Sequence, residues 1–186
     1  MHDIYVYNNT VENCYDAGIT PQVNSTSVMY GDSDNVIFKN NYISNCVYPI
    51  EYFNSSSYDC TNIKFLNNYI ENCRDITEGY RENSATSSIA QMCLWRSRGA
   101  NDSIYIEDNV CIKSEKYALS FAENCAEKFH FKDNKFIISS NNAIRNPSYY
   151  SGNDDILQIP NEPTTADEFA KLAYYRTLGI EKISCK

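Results

Sequence analysis

The sequence predicts an all-β solenoid: a coil of three short strands stacked about five times into three parallel sheets, followed by a C-terminal helix. Three observations predict it. A block of the form Asn-Asn-x-[Ile/Val]-x-Asn-Cys stands at 8–14, 40–46 and 67–73, with weaker copies at 108–114 (DNVCIKS) and 133–139 (DNKFIIS). An alternating apolar stretch precedes every copy: Ile4/Val6, Val36/Phe38, Ile63/Phe65, Ile104/Ile106 and Phe129/Phe131. The chain is also heavily loaded with asparagine, whose amide is costly to bury unless it is paired.

Each element of the coil follows from these residues. Period-two alternation points Ile4/Val6 and their equivalents to one face of a first strand. Asparagine then turns the chain, because it tolerates the left-handed region. A second strand carries Val11, Ile43, Ile70, Cys111 and Phe136 inward. After a loop of variable length comes a third apolar element, at 18–22, 49–53, 88–92, 118–122 and 143–147. The second asparagine of each block falls at Asn9, Asn41, Asn68, Asn109 and Asn134, so the steps are 32, 27, 41 and 25 residues. Stacked about 4.8 Å apart, these amides can bond to one another along the solenoid.

The ends differ from the repeat. Residues 1–147 hold the coils, and 148–164 read as an irregular linker with Pro160 and Pro163. Residues 165–186 read as a helix and tail: Thr164 or Thr165 caps it, Asp167 and Glu168 lie in its first turn, and Gly179 stops it. Phe169, Leu172, Ala173 and Arg176 mark one face, which predicts packing as a cap over the last coil. No equivalent cap precedes Ile4. Either further coils lie upstream, the chain being the C-terminal part of a longer protein, or a second chain covers the first coil.

The pattern I-x-[VF]-x-N-N-x-[IV]-x-N-C resembles the coil of right-handed parallel β-helix proteins, the pectate-lyase-like superfamily, over roughly residues 3–147. That resemblance implies a carbohydrate polymer as the partner and an extracellular or cell-surface setting. It also implies a lyase or glycoside hydrolase, or alternatively a glycan-binding, adhesin-like module without catalysis. In such proteins the groove lies over the sheet after the longest turn, which here makes Thr20, Glu51, Ala90, Ser120 and Arg145 the outward floor.

Two chemistries compete there. Hydrolysis needs two carboxylates about 5–5.5 Å or 6.5–9.5 Å apart, and Asp16 with Glu51, or Glu51 with Asp75, are the pairs in question. Elimination needs a base, for which Arg74 is the leading candidate beside Arg81, Arg96 and Arg145. It also needs a group that neutralises the uronate, such as Ca²⁺ held by Asp75, Glu78 and Glu82. Flat rings at Tyr48, Tyr52 and Trp95 suit sugar stacking, with Arg145 as a polar contact. The paired-aspartate, Gly-His-Gly and Arg-x-Lys signatures of the pectate lyases and polygalacturonases are absent.

Composition excludes other classes. With 24 acidic against 16 basic residues the net charge is -8, the wrong sign for a nucleic-acid binder. Mean hydropathy is -0.51 and no apolar run is long enough to span a bilayer. The first residues lack the layout of a signal peptide. Among the 8 Cys, Cys14, Cys46 and Cys73 share one repeat position that Ser114 and Ser139 take later, so the place wants a small side chain. His130, between Phe129 and Phe131, points outward.

Overall fold

The structure, a computed structural model, describes residues 1–21, 32–54, 59–73, 90–95, 104–121, 129–160 and 162–184; the side chains of Trp95 and Tyr149 lie outside that description. The first coil is β1 (His2–Tyr7), β2 (Thr10–Glu12) and β3 (Ala17–Ile19); the second is β4 (Ser33–Lys39), β5 (Tyr42–Ser44) and β6 (Tyr48–Phe53). The third is β7 (Cys60–Leu66), β8 (Tyr69–Cys73) and β9 (Ala90–Trp95), and the fourth β10 (Ile104–Glu107), β11 (Val110–Ser114) and β12 (Tyr117–Phe121). The fifth is β13 (Phe129–Lys132), β14 (Lys135–Ile138) and β15 (Ile144–Arg145), followed by β16 (Asp155–Gln158) and α1 (Ala166–Ser184). Corresponding strands of successive coils pair in parallel, giving a first sheet β1-β4-β7-β10-β13, a second β2-β5-β8-β11-β14-β16 and a third β3-β6-β9-β12-β15. The fold is a right-handed parallel β-helix.

Inside, like stacks on like. Val6, Phe38, Phe65, Ile106 and Phe131 form one inward row of the first sheet, and the Phe38 and Phe65 rings lie 5.1 Å apart and nearly parallel. Val11, Ile43, Ile70, Cys111, Phe136 and Ile156 form the row of the second sheet. Side chains from the three sheets meet in one dry core.

The two asparagines of each block divide the work. The first takes the left-handed turn: Asn8, Asn40, Asn67, Asp108 and Asp133 all have φ between 54° and 59°. The second builds the ladder. Each ladder residue donates its backbone N–H and its Nδ2 to the Oδ1 of the next, from Asn9 through Asn41, Asn68 and Asn109 to Asn134, at 2.8–3.1 Å. Asn41, Asn68, Asn109 and Asn134 are fully buried, which the bonding makes tolerable.

The stretch expected as linker holds the sixth strand of the second sheet and closes the last coil. Asp154 takes the next ladder position, its Oδ1 accepting from the N–H and the Nδ2 of Asn134 at 2.9 Å each. Tyr150 packs on Phe131 with ring centroids 5.1 Å apart, and its hydroxyl donates to Asp154 Oδ2.

The expected C-terminal helix is present, and it caps the outer face of the second sheet. Leu172 packs against Tyr69, Val110, Ile112, Ile137 and Ile159, with Tyr175, Leu178 and Ile183 alongside. Phe169, expected on this face, is 56% exposed. Nor does Gly179 end the helix. It is buried in the middle of α1, where an added Cβ would stand 2.4 Å from Tyr69 Cδ2, so the glycine serves close approach of helix to sheet. A latch holds the same contact: Arg176 donates from Nε and Nη2 to Glu71 Oε1, while the Tyr69 hydroxyl donates to Glu71 Oε2.

Candidate functional site

The third sheet carries one outward row in strict register. Ser120 of β12 pairs with Cys93 of β9 and Arg145 of β15, and Cys93 pairs with Glu51 of β6. Since Ile19 lies beside Ile50, Thr20 falls beside Glu51. The row therefore reads Thr20, Glu51, Cys93, Ser120, Arg145, at about 4.8 Å per step. Alternation produces it, because Ile50/Tyr52, Met92/Leu94 and Leu119/Phe121 point into the core.

One member differs from the expectation. Ala90 pairs with Tyr117, three residues before the row, and Cys93 holds the third-coil position. Its strand is Ala90–Trp95, later than the 88–92 stretch that apolar content suggested. The apolar run continues through Leu94, so hydrophobicity alone did not mark the register.

The pair Asp16 and Glu51 is not brought together. Ala17 stands beside Tyr48, so Asp16 falls beside Val47, four positions before Glu51. Four residues of strand span about 13 Å, outside both carboxylate separations used by glycosidases. Asp16 sits in the turn before β3 and its carbonyl accepts from the Tyr48 N–H at 3.2 Å. Glu51 and Arg145 are both half-buried on the row. The remaining carboxylates and bases of the sequence reading, Arg74, Asp75, Glu78, Arg81, Glu82 and Arg96, lie outside the described residues.

The expected stacking rings also part company. Tyr52 is fully buried in the core, edge-on to Phe129 at 5.6 Å, so it offers no face to a sugar. Tyr48 is 3% exposed, packed with Val47, Cys73, Ala90 and Cys93. The alternation that puts Glu51 outward necessarily puts Tyr52 inward. Trp95 closes β9 with its backbone beside Phe53.

Cys93 and Ser120, in the middle of the row, are buried. Ser120 Oγ has no hydrogen-bond partner among the described residues, an arrangement that costs about 1–3 kcal/mol. Sequence reasoning placed Ser120 on this floor but carried no sign that its hydroxyl would be enclosed. Burial pushes the Cys46 thiol up to about 12 and raises Cys60, Cys73 and Cys111, which makes these four thiols poor nucleophiles, and no disulfide joins the described cysteines.

A concavity of about 410 Å³ lies where α1 meets the end of β11, lined by Lys113, Glu162, Pro163, Phe169, Leu172, Ala173 and Arg176. Arg176 is held there by Glu71 at 2.7 Å. Among the described residues, no group of three or more His, Cys, Asp or Glu is placed to hold a metal ion, and no helix is long and apolar enough to cross a membrane.

No family model, curated protein or solved structure matches the chain.

Proposed function

We propose that the chain handles a carbohydrate polymer along the outer face of the third sheet. The supporting observation is the row Glu51–Cys93–Ser120–Arg145, which sets a carboxylate, a hydroxyl and a guanidinium at coil spacing on the sheet where β-helix proteins of the pectate-lyase-like kind carry their grooves. Glu51 and Arg145 stand three steps apart, about 14 Å, a span suited to successive units of a chain rather than to one small molecule. Because Asp16 is out of register with Glu51, a two-carboxylate hydrolysis would rest on Glu51 with Asp75, beside elimination and plain binding as the other readings of the row. In the elimination reading Arg145 would meet the uronate, Asp75, Glu78 and Glu82 would hold a Ca²⁺ that would neutralise its carboxylate, and Arg74 would serve as the base. The setting is then extracellular or cell-surface. The second reading, a glycan-binding module, is favoured by the burial of Cys93 and Ser120, which leaves contact to the two ends of the row.

The test is a panel of acidic and neutral polysaccharides, with and without calcium, reading reducing ends and ultraviolet absorbance together. Unsaturated product lost in Arg145→Gln supports the lyase. Binding without product, weakened in Glu51→Gln and Arg145→Gln, supports the module. Wild-type behaviour of both variants on every polymer would overturn the assignment of this face.

On the first coil Tyr5, Tyr7 and Tyr15 are 49–59% exposed, and Ile4, Val6 and Val11 are only partly buried.

A further inference from the structure

One left-handed residue of this fold is out of type, and it lines the concavity where α1 meets β11. Of the thirteen described non-glycine residues with positive φ, twelve are Asn or Asp, whose short polar side chains tolerate that region; the other is Lys113, at φ 58°. Its counterparts at the same corner of the first three coils are Asn13, Asn45 and Asn72, at 61°, 52° and 58°. A bulge accompanies the change: Cys111 pairs with Phe136 and Ser114 with Ile138, so three steps of β11 face two of β14. Bulges of this kind re-aim a side chain. Lysine gains no ion pair in exchange. Around α1, Lys171 holds Asp167, Arg176 holds Glu71 and Lys182 holds Asp108, while the half-buried Lys113 has no carboxylate partner among the described residues, Glu162 included. A strained conformation kept without a contact that serves the fold is the mark of a residue kept for a ligand.

The rest of the lining says what that ligand is. The concavity of about 410 Å³ has room for a small molecule, and much of its surface is carbon, from Pro163, Leu172, Ala173 and the 56% exposed ring of Phe169. The same space holds Lys113, with three unspent donors, and Arg176, which spends two of its five N–H groups on Glu71 Oε1. Glu71 cancels the charge of Arg176, so Lys113 is the uncompensated cation, and the exposed carboxylate of Glu162 is screened by water. The geometry points to a binding site for a small organic acid: one carboxylate, met by Lys113 with Arg176 beside it, on an apolar body about the size of a single ring, laid against Phe169 and Leu172. An inorganic anion forfeits the carbon surface, and a neutral ring leaves the lysine without its counter-charge. The site lies against the second sheet and does not depend on the polymer reading of the third.

Three probes separate the parts: phenylacetate, benzyl alcohol and inorganic phosphate, each titrated into the full chain and followed by calorimetry and by amide NMR shifts. Phenylacetate should shift the amides of Lys113, Phe169 and Ala173 and bind at least about tenfold more tightly than either of the others. Lys113→Asn installs the residue of the other coils, so it should raise the unfolding midpoint while weakening phenylacetate by about tenfold or more. Lys113→Gln keeps the strain and removes the charge; it should show the same loss of binding with no gain in midpoint. Phe169→Ala, at an exposed position, should weaken phenylacetate several-fold and leave the midpoint where it was. A lower midpoint in Lys113→Asn would make the lysine a residue of the fold and overturn its assignment to a ligand. Phenylacetate binding unchanged in both lysine variants, equal binding of all three probes, or no binding at millimolar concentration would each overturn the site. Shifts confined to the third sheet would overturn it too, by placing the acid on the other face.

Discussion

Asp154 Oδ1 accepts both the backbone N–H and the side-chain amide of Asn134, at 2.9 Å each, and so stands in the ladder as its last member. The ladder requires only an acceptor here, while Oδ2 also accepts from the Tyr150 hydroxyl. Asp154→Asn keeps the ladder acceptor and forfeits that second one, so it should cost about 1 kcal/mol or less, whereas Asp154→Ala should cost about 2 kcal/mol or more by orphaning the buried Asn134 donors as well. Urea unfolding of the two variants measures the difference, and equal losses would remove Asp154 from the ladder.

Position along the ladder should grade the cost of losing an amide. Asn41→Ala breaks bonds to Asn9, Asn68 and Val6 in a fully buried setting and should cost about 2–4 kcal/mol. Asn9→Ala, at the exposed end, should cost about 1 kcal/mol or less. Thermal and urea unfolding both report it, and equal effects would argue against a cooperative stack.

Gly179→Ala sets helix propensity against packing. Alanine favours an isolated helix by about 1 kcal/mol, but its Cβ would lie 2.4 Å from Tyr69 Cδ2. Packing should win, because the ring is pinned by its bond to Glu71 and by Tyr42, whose tilted ring lies 5.3 Å away. We expect a net loss of about 1–3 kcal/mol and faster proteolysis within α1; a stabilised variant would mean that the helix rides higher on the sheet.

The start of α1 should be acid-sensitive. Glu168 Oε2 accepts from the N–H groups of Thr164 and Thr165, which lowers its carboxyl below the ordinary value of 4.5, while Thr165 Oγ1 accepts from the Glu168 N–H. A lowered folded pKa contributes stability above about pH 4.5 that is lost as pH falls through the folded value. Glu168→Gln should flatten the acid limb of α1 protection in hydrogen exchange, and an unaltered limb would place the sensitivity elsewhere.

Ser120→Ala should raise stability by about 1 kcal/mol, because it deletes a buried hydroxyl that has no partner among the described residues. A gain in midpoint accompanied by weaker polymer binding would show that the hydroxyl is kept for contact rather than for folding. A lower midpoint would show that it is bonded in solution.

The fold was legible because its signals are periodic. Alternation names the inward rows, and the Asn-Asn or Asp-Asn pair marks each coil, so the sequence pattern alone places Val11, Ile43, Ile70, Cys111 and Phe136 on one row. The site was less legible, since it depends on the register of the third strand, where the marker is only apolar content. That is why Ala90 stood in for Cys93, and why Asp16 seemed to face Glu51 when a four-residue offset separates them. Gly179 misled for a related reason. In sequence, a glycine that ends a helix and one that admits a neighbouring ring are the same letter.

The one-way ladder also makes coil number an inheritable variable. Excising Asn41 through Asn67, the 27 residues between two ladder positions, brings Asn68 directly after the coil of Asn9, and a tandem duplication does the reverse. Such whole-unit changes preserve every amide pairing, whatever the lengths of the loops between. They fit the ladder ahead of Asp154, whose carboxylate has no side-chain donor for a further rung, so whole-coil changes fall most easily on the N-terminal side of that residue.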